Sequence, residues 1–344
     1  MSKWYLNPGS NDDIVLSTRI RLARNLSSLP FQSRMTPEQK KELCQKVRAA
    51  LQGVNLGENK LSFIEMNSLS DTQRLALVET HTISPEFMDS PENKLLVLSK
   101  DEDISIMVGE EDHIRIQVMR SGLELNDALK TADLLDNVLD ETLDYAFSEQ
   151  LGFLTACPTN LGTGLRASVM LHLPALEQAG AINQLASTIS KLGLTIRGTY
   201  GEGSDAKGAQ YQISNQITLG ISEEMAVQNL QSMVEQVIAQ EKNARKAVWP
   251  QPMRLEDIVW RSLGLLQNAR MISGKEAEEL LSYLRLGVSM GILPGVTVQT
   301  LNGLSTKIGA GALCRDSKKN LSPDERDEKR AAVLRQELQT AGRT

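Results

Sequence analysis

Apolar and polar residues alternate with a period of two along Ile14-Val-Leu-Ser-Thr-Arg-Ile-Arg-Leu22. Ile14, Leu16, Ile20 and Leu22 share one face there, and Ser17, Arg19 and Arg21 share the other. The same alternation sets His113 and Arg115 opposite Ile114 and Ile116, and Arg166 and Ser168 opposite Ala167 and Val169. This is the pattern of half-buried β-strands. Strands are also predicted over 61–66, 94–98, 104–108, 113–119, 153–157, 168–173, 194–200 and 210–220. Leu125, Leu129, Ala132, Leu135, Leu139 and Leu143 recur instead at helical spacing, predicting a long helix over about 124–148, and Met225–Glu241 is a second candidate. Several strands are separated only by short polar or glycine-containing breaks, which favours hairpins. The predicted class is α+β: an antiparallel β-sheet flanked by helices.

The pattern changes at Lys246-Ala-Val-Trp-Pro-Gln-Pro252, where two prolines block helix continuation and mark a linker. Beyond it the chain reads as helical: Leu255–Asn268, a helix opened by a capping box at Ser273-Gly-Lys-Glu276, and a last helix opened by Ser322-Pro-Asp-Glu325. Two domains are therefore expected, 1–245 and a small all-helical C-terminal domain at 250–344.

A length of 344 residues accommodates both, and 41% hydrophobic with 23% charged residues is a globular balance. No apolar stretch approaches the roughly 20 residues that span a bilayer, and the first fourteen residues hold no signal-peptide core. A cytoplasmic protein is expected, with no membrane association. Three scattered cysteines make neither a disulfide framework nor a zinc site, so no metal held by the protein alone is expected. A net charge of −6 gives nucleic-acid binding no support.

A polyanionic ligand would need locally gathered arginines. One polar strand face is ordinary, but arginine takes that face in three separate strands, and its rigid fork of donors suits phosphate oxygens. Gly109-Glu-Glu-Asp-His113 places three carboxylates and an imidazole before the Arg115 strand, as a solvated turn or as part of a site. Arg197–Gly208 carries four glycines around Glu202, as a flexible connection or as a loop closing over substrate. Cys157-Pro-Thr-Asn-Leu-Gly-Thr-Gly164 reads alone as a cysteine ending a strand before a Pro/Gly turn. No Walker P-loop spacing occurs.

Cys157-Pro-Thr-Asn-Leu-Gly-Thr163 closely resembles the signature of the guanidino (phosphagen) kinases. Ser17-Thr-Arg-Ile-Arg21, Glu110-Glu-Asp-His-Ile-Arg115, Arg166-Ala-Ser-Val and Arg197-Gly-Thr-Tyr-Gly-Glu202 match that family's other active-site segments in the same order. The resemblance implies ATP as phosphoryl donor, Mg²⁺ as its companion ion, and a fold of an antiparallel sheet flanked by helices. It gives phosphate contacts to Arg19, Arg21, Arg115, Arg166 and Arg197. It places Ser17, Thr18, Ile20, Ala167, Ser168, Val169, Met170, Gly198, Thr199, Tyr200 and Gly201 in the nucleotide-binding segments, with His81 and His113 lining the nucleotide site. Glu111 and Glu202 become the carboxylates that grip the acceptor guanidinium, and Cys157 lies beside the reacting nitrogen. A guanidinium loses its proton only at a pKa of roughly 12.5 or above, so a general base must act as the N–P bond forms. Glu111 leads for that role, with Glu202 as clamp and second base.

Small-molecule members of the family carry an N-terminal helical domain before the Ser-x-Arg-x-Arg strand, whereas here that strand begins at Ile14. The expected site is open enough for a polypeptide, as in the bacterial protein-arginine kinases. Arg326-Asp-Glu-Lys-Arg-Ala331 also matches the Arg-Asp-x-x-Arg-Ala motif by which that group binds phosphoarginine. Arg326, Asp327 and Arg330 would then form an allosteric second site, the two arginines sharing a helix face; a plain solvated helix is the other reading. A kinase for free arginine or another small guanidino compound, and a non-catalytic phosphoarginine-binding adaptor, remain as alternatives. The resemblance further implies a stress-response role, with phosphoarginine marking proteins for a Clp-type protease. An activator protein and a stress-gene repressor are the implied partners, and a homodimer is expected.

Overall fold

The computed structural model describes residues 3–54, 56–198 and 207–342. Its strands are β1 (Val15–Arg24), β2 (Leu61–Glu65), β3 (Leu95–Ser99), β4 (Ile104–Val108), β5 (Ile114–Ser121), β6 (Phe147–Ser148), β7 (Gly152–Phe153), β8 (Leu165–His172), β9 (Leu194–Gly198) and β10 (Gln210–Asn215). Eight of them form one sheet in the order β2-β3-β4-β5-β1-β8-β10-β9, antiparallel at each pairing, while β6 and β7 make a separate small hairpin. The helices around it are α1 (Pro37–Leu51), α2 (Asp71–Glu79), α3 (Pro85–Met88), α4 (Leu125–Asp140), α5 (Pro174–Gln178), α6 (Ile182–Ser190) and α7 (Glu223–Val248). The predicted antiparallel sheet flanked by helices is the fold observed.

The sheet's two faces are unlike, and that difference positions the site. Ile20 and Leu22 of β1, Ile114, Ile116 and Val118 of β5, and Leu165, Ala167 and Val169 of β8 pack with α1, α4 and α7 in the main core. On the other face a smaller cluster (Met66, Ile83, Phe87, Leu96, Leu98 and Met107) packs α2 and α3 on the β2–β4 end. The polar side of β1, β5, β8 and β9 is left to carry arginines.

Several boundaries depart from the pattern-based expectation. A β-bulge between Val15 and Ser17 shifts the parity of β1, so Val15 is buried in the core while Leu16 is only half-buried. The predicted strand 153–157 is not one: only Gly152–Phe153 pairs, and the Ala156 amide donates to the Asp112 carboxylate at 2.7 Å. β10 stops at Asn215, whose side chain takes the Ala167 amide at 2.8 Å and donates to Leu165 and Ile217 carbonyls. The helix over 124–148 ends at Asp140, after which the chain bridges Tyr145 to Leu26. At Ala156 and at Ala167 a side chain distant in sequence, Asp112 or Asn215, takes the backbone amide.

Residues Trp249–Gln251 separate α7 from α8 (Pro252–Asn268), where Pro252 occupies the first helical turn and leaves no hydrogen bond unmade. Next come α9 (Gly274–Ser289), α10 (Val298–Lys307), α11 (Ala310–Ser317) and α12 (Pro323–Glu337). Ser273 accepts the Glu276 amide, and Ser322 with Glu325 makes a complete capping box. These helices share their own apolar cluster, including Leu255, Val259, Leu281, Leu284, Leu304 and Leu334. They meet the sheet-bearing part chiefly where α11 packs on α2.

Candidate active site

Register brings the arginines together. Arg21 of β1 lies directly opposite Arg166 of β8, and Arg19 lies opposite Ser168. Arg115 of β5 is opposite Ala23, and Arg197 of β9 is opposite Gln212 of β10. Like charges facing each other across strands are destabilising unless an anion lies between them. A cleft of about 600 Å³ opens here, lined by Arg21, Arg115, Arg166 and Arg197 together with Glu86, Glu110, Glu111 and Cys157. Burial first, and then mutual repulsion, disfavour the charged forms of these guanidinium groups. Burial, then Arg115 and Arg166, push Arg19 down to about 10, and burial with Arg19, Arg115 and Arg166 lowers Arg21 well below its ordinary value. Burial and Arg197 lower Arg166 as well. Among the described residues, Arg21 Nε is buried with no hydrogen-bond partner.

The carboxylates occupy the other side. Glu110 is buried, pairs with Arg115 and accepts from the Ser84 hydroxyl. Glu111 is far more open: it sits 3.4 Å from Arg115 Nη2, with 47% of its side chain exposed. Partial burial raises the Glu111 carboxyl above its usual range, with Asp112, Glu110 and Glu86 pushing the same way and Arg115 opposing. Cys157 is half-buried, its Sγ 3.1 Å from Thr159 Oγ1. The loop that carries it turns through Gly162 (φ +112°) and Gly164 (φ +66°). A Cβ at Gly162 would overlap the Thr218 carbonyl, and one at Gly164 would lie 2.6 Å from the Ala23 carbonyl.

Other expected residues separate into two groups. Ser17, Arg19, His81, Ser168 and Met170 line a narrow slot with Met119 and Gln212, in which Arg19 donates to Ser168 Oγ (3.3 Å) and Gln212 Oε1 (2.9 Å). Burial and Arg19 push His81 down to about 4, so its imidazole is neutral. Gly198 ends β9 beside this region. By contrast, the side chains of Ile20, Ala167 and Val169 are in the core, on the opposite face. Thr18 is buried against the start of α4, donating to the Gly122 carbonyl (2.7 Å) and accepting the Glu124 amide (3.0 Å). His113 does not face the cleft either: Nδ1 accepts the Leu26 amide at 3.0 Å, and Nε2 is 2.8 Å from the Pro30 carbonyl. Its imidazole ties down the chain after β1, and β5 begins only at Ile114. Thr199, Tyr200, Gly201 and Glu202 lie outside the described residues.

Sequence reasoning missed Glu110 as the partner of Arg115, and it missed Glu86 entirely. The acidic run flagged the first; nothing local flags the second. It also missed Asp112, which is fully buried and accepts from Asn25 Nδ2 and the Ala156 amide, both at 2.7 Å. That carboxylate joins the turn carrying Glu111 to the segment carrying Cys157.

The second motif sits on α12. Arg330 is buried, donating to the Ile272 carbonyl (2.8 Å) and the Ile308 carbonyl (3.0 Å) and pairing with Asp327. Arg326 is half-buried. α12 is therefore not the plain solvated helix of the alternative reading.

Comparison with known proteins agrees with this geometry. Residues 42–244 match the family model of the ATP:guanido phosphotransferase C-terminal catalytic domain, and residues 252–344 match that of the protein-arginine kinase McsB C-terminal domain. The chain is 46% identical over 339 residues to a protein-arginine kinase of Halothermothrix orenii, covering 98% of this chain and 97% of that protein. It is 46% identical over 340 residues to that of Bacillus subtilis, covering 98% and 93%. Among solved structures, a lombricine kinase superposes with a TM-score of 0.62 at 27% identity, over 69% of this chain and 68% of that one. The duplicated taurocyamine kinase of Schistosoma mansoni gives 0.63 at 27%, over 78% and 40%. A sheet face of opposed arginines, an acidic turn and a cysteine loop on one cleft thus coincide with full-length similarity, and the chain belongs to the ATP:guanido phosphotransferase family, among its protein-arginine kinases.

Proposed function

We propose that this chain transfers the γ-phosphoryl group of ATP to a guanidinium nitrogen of arginine side chains in proteins. One observation carries the reading: Arg21, Arg115, Arg166 and Arg197 share a cleft with Glu110, Glu111 and Cys157. The unpartnered Arg21 Nε and the opposed Arg21 and Arg166 fit a polyphosphate. Arg19, Arg21, Arg115, Arg166 and Arg197 would hold and neutralise it, and catalysis in such a site is positioning plus electrostatics. By resemblance, Mg²⁺ would accompany the nucleotide beside these arginines and would supply further neutralisation of charge.

Glu111, raised toward neutrality yet open to solvent, suits a general base. It takes a proton from the attacking nitrogen as the N–P bond forms; the bond from Pγ to the bridging oxygen breaks, and ADP leaves with that electron pair. Glu202 joins as clamp and second base, by resemblance. Cys157 aids electrostatically and forms no covalent intermediate. Protein arginine, rather than free arginine, is favoured by the similarity that runs through residues 252–344. We assign 1–245 to phosphotransfer and 250–344 to a helical domain that reads phosphoarginine through Arg326 and Asp327, with Arg330 buried behind them. A cytoplasmic homodimer, a role in stress response and in marking proteins for a Clp-type protease, and an activator protein and a repressor as partners extend the reading on family resemblance alone.

The test is mass spectrometry of proteins incubated with the chain and ATP, under conditions that preserve N–P bonds. Acid-labile phosphate on protein arginines is expected. Label on free arginine but not on protein overturns the choice of acceptor, and no transfer to any guanidinium overturns the whole reading.

A further inference from the structure

The helical C-terminal part is fastened to the sheet-bearing part at a point that leads directly toward the cleft. Glu79, the last residue of α2, accepts the amides of Gly311 (2.8 Å) and Ala312 (3.1 Å) at the start of α11. These are two donors that the helix itself cannot satisfy, and the carboxylate also meets the positive end of the helix dipole. The contact is closely built: a Cβ at Gly311 would lie 2.5 Å from the Ala76 amide nitrogen, so α2 and α11 approach backbone to backbone.

The residues after Glu79 carry this anchor to the site. His81 adopts φ +57°, a left-handed conformation uncommon for a residue with a side chain. Its carbonyl accepts from Gln117 Nε2 of β5 at 2.8 Å, and its imidazole lines the slot beside Arg19. His81 also borders a cavity of about 290 Å³ between the two parts, whose wall includes Glu79, Gly309 and Ala310. Three residues on, Ser84 caps α3 through the Phe87 amide (3.1 Å) and donates to Glu110, the partner of Arg115. Glu86 of α3 then lines the cleft itself. Within eight residues the chain touches α11, the Arg19 slot, the Glu110–Arg115 pair and the cleft wall.

We infer that Glu79 is a positioning residue: by holding α11 it sets the backbone from His81 to Glu86, and so makes nucleotide affinity depend on docking of the helical part. The inference rests on the proposed nucleotide site. Coupling of this kind is reciprocal, since whatever tightens the latch tightens ATP and ATP tightens the latch.

The experiment uses the full chain and reads binding apart from catalysis. Calorimetric ATP affinity is expected to weaken roughly tenfold in Glu79→Ala, the loss of about one charge-assisted hydrogen bond. Glu79→Gln, which keeps one acceptor, should fall between, and kcat at saturating ATP should stay within about twofold of the parent. A purely structural role would lower the melting temperature without that split between affinity and kcat. Unchanged ATP affinity in a folded Glu79→Ala chain overturns the inference. Should the variants fail to fold, the parent chain decides: a non-hydrolysable ATP analogue must slow hydrogen exchange at the Gly311 and Ala312 amides, and no slowing overturns it. Transfer to no guanidinium, with ATP binding intact, would count against the proposed function and leave this test readable.

Discussion

Glu111 and Arg21 show how one residue's surroundings set its chemistry. The Glu111 carboxyl is raised by burial and by its acidic neighbours, and a base works only once deprotonated. The acid limb of the pH–rate profile should therefore have its midpoint above the ordinary glutamate value, with activity falling as pH drops through it. Glu111→Gln should remove that limb and lower turnover by roughly 10²- to 10⁴-fold, while calorimetry still finds ATP bound. Arg21 has the opposite balance, being costly to the free protein and useful to the bound one. Arg21→Met should stabilise the ligand-free chain by about 1 kcal/mol, since a half-buried, repelled charge is replaced by a chain of similar length. It should also shrink the ATP-induced rise in melting temperature. A free chain that melts lower in Arg21→Met would contradict the account of the opposed arginines.

Arg24, at the end of β1, holds several elements in one arrangement. It grips Asp136 of α4 (2.6 Å to Oδ2), meets Glu223 of α7 at 3.3 Å and donates to the Thr163 carbonyl of the Cys157 loop at 2.8 Å. Its guanidinium also stacks on Phe153, 3.6 Å from the ring centre. Arg24→Met should cost about 3–5 kcal/mol, because two carboxylates would remain partly buried without their cation. Glu223 gives this node a pH dependence. Burial, with Asp133 and Asp136, raises its carboxyl to about 7 although Arg24 opposes. In the unfolded chain it titrates near 4.5, so the folded state binds the extra proton between those values and stability falls as pH rises through that window. Glu223→Gln should raise the melting temperature more at pH 8 than at pH 5; an equal effect at both would refute the assignment.

At the scale of the whole molecule, the second motif must be separated from the scaffold that presents it. Arg330 gives its donors to the Ile272 and Ile308 carbonyls and to Asp327, which joins α12 to the starts of α9 and α11. Arg330→Ala should destabilise the helical part by about 2 kcal/mol by stranding buried acceptors, and any loss of phosphoarginine-peptide binding would follow from that. Arg326→Ala should leave melting unchanged and abolish peptide binding and activation. Peptide binding retained in Arg326→Ala would end the proposal of a second site there.

Much of the fold was legible in advance because its cause is local. Alternation along β1, β5 and β8 marks which face is buried, and Ser322-Pro-Asp-Glu325 opens a helix through contacts within one turn. The arginines of the site could be named from one strand face and the family's motifs for the same reason. What a strand pattern cannot state is which strands are neighbours. The opposition of Arg21 and Arg166, and the closure of Glu110 on Arg115, follow from register and from a segment near residue 84. His113 reads as a site residue in its motif, yet its imidazole serves the chain at Leu26 and Pro30. Sequence alone determined the chemistry each residue can offer and the face that most strand residues occupy, with Val15, Leu16 and His113 as exceptions. Only the tertiary structure decided which of those groups meet, because hydrogen bonds and charges act over a few ångströms in space, whatever their separation along the chain.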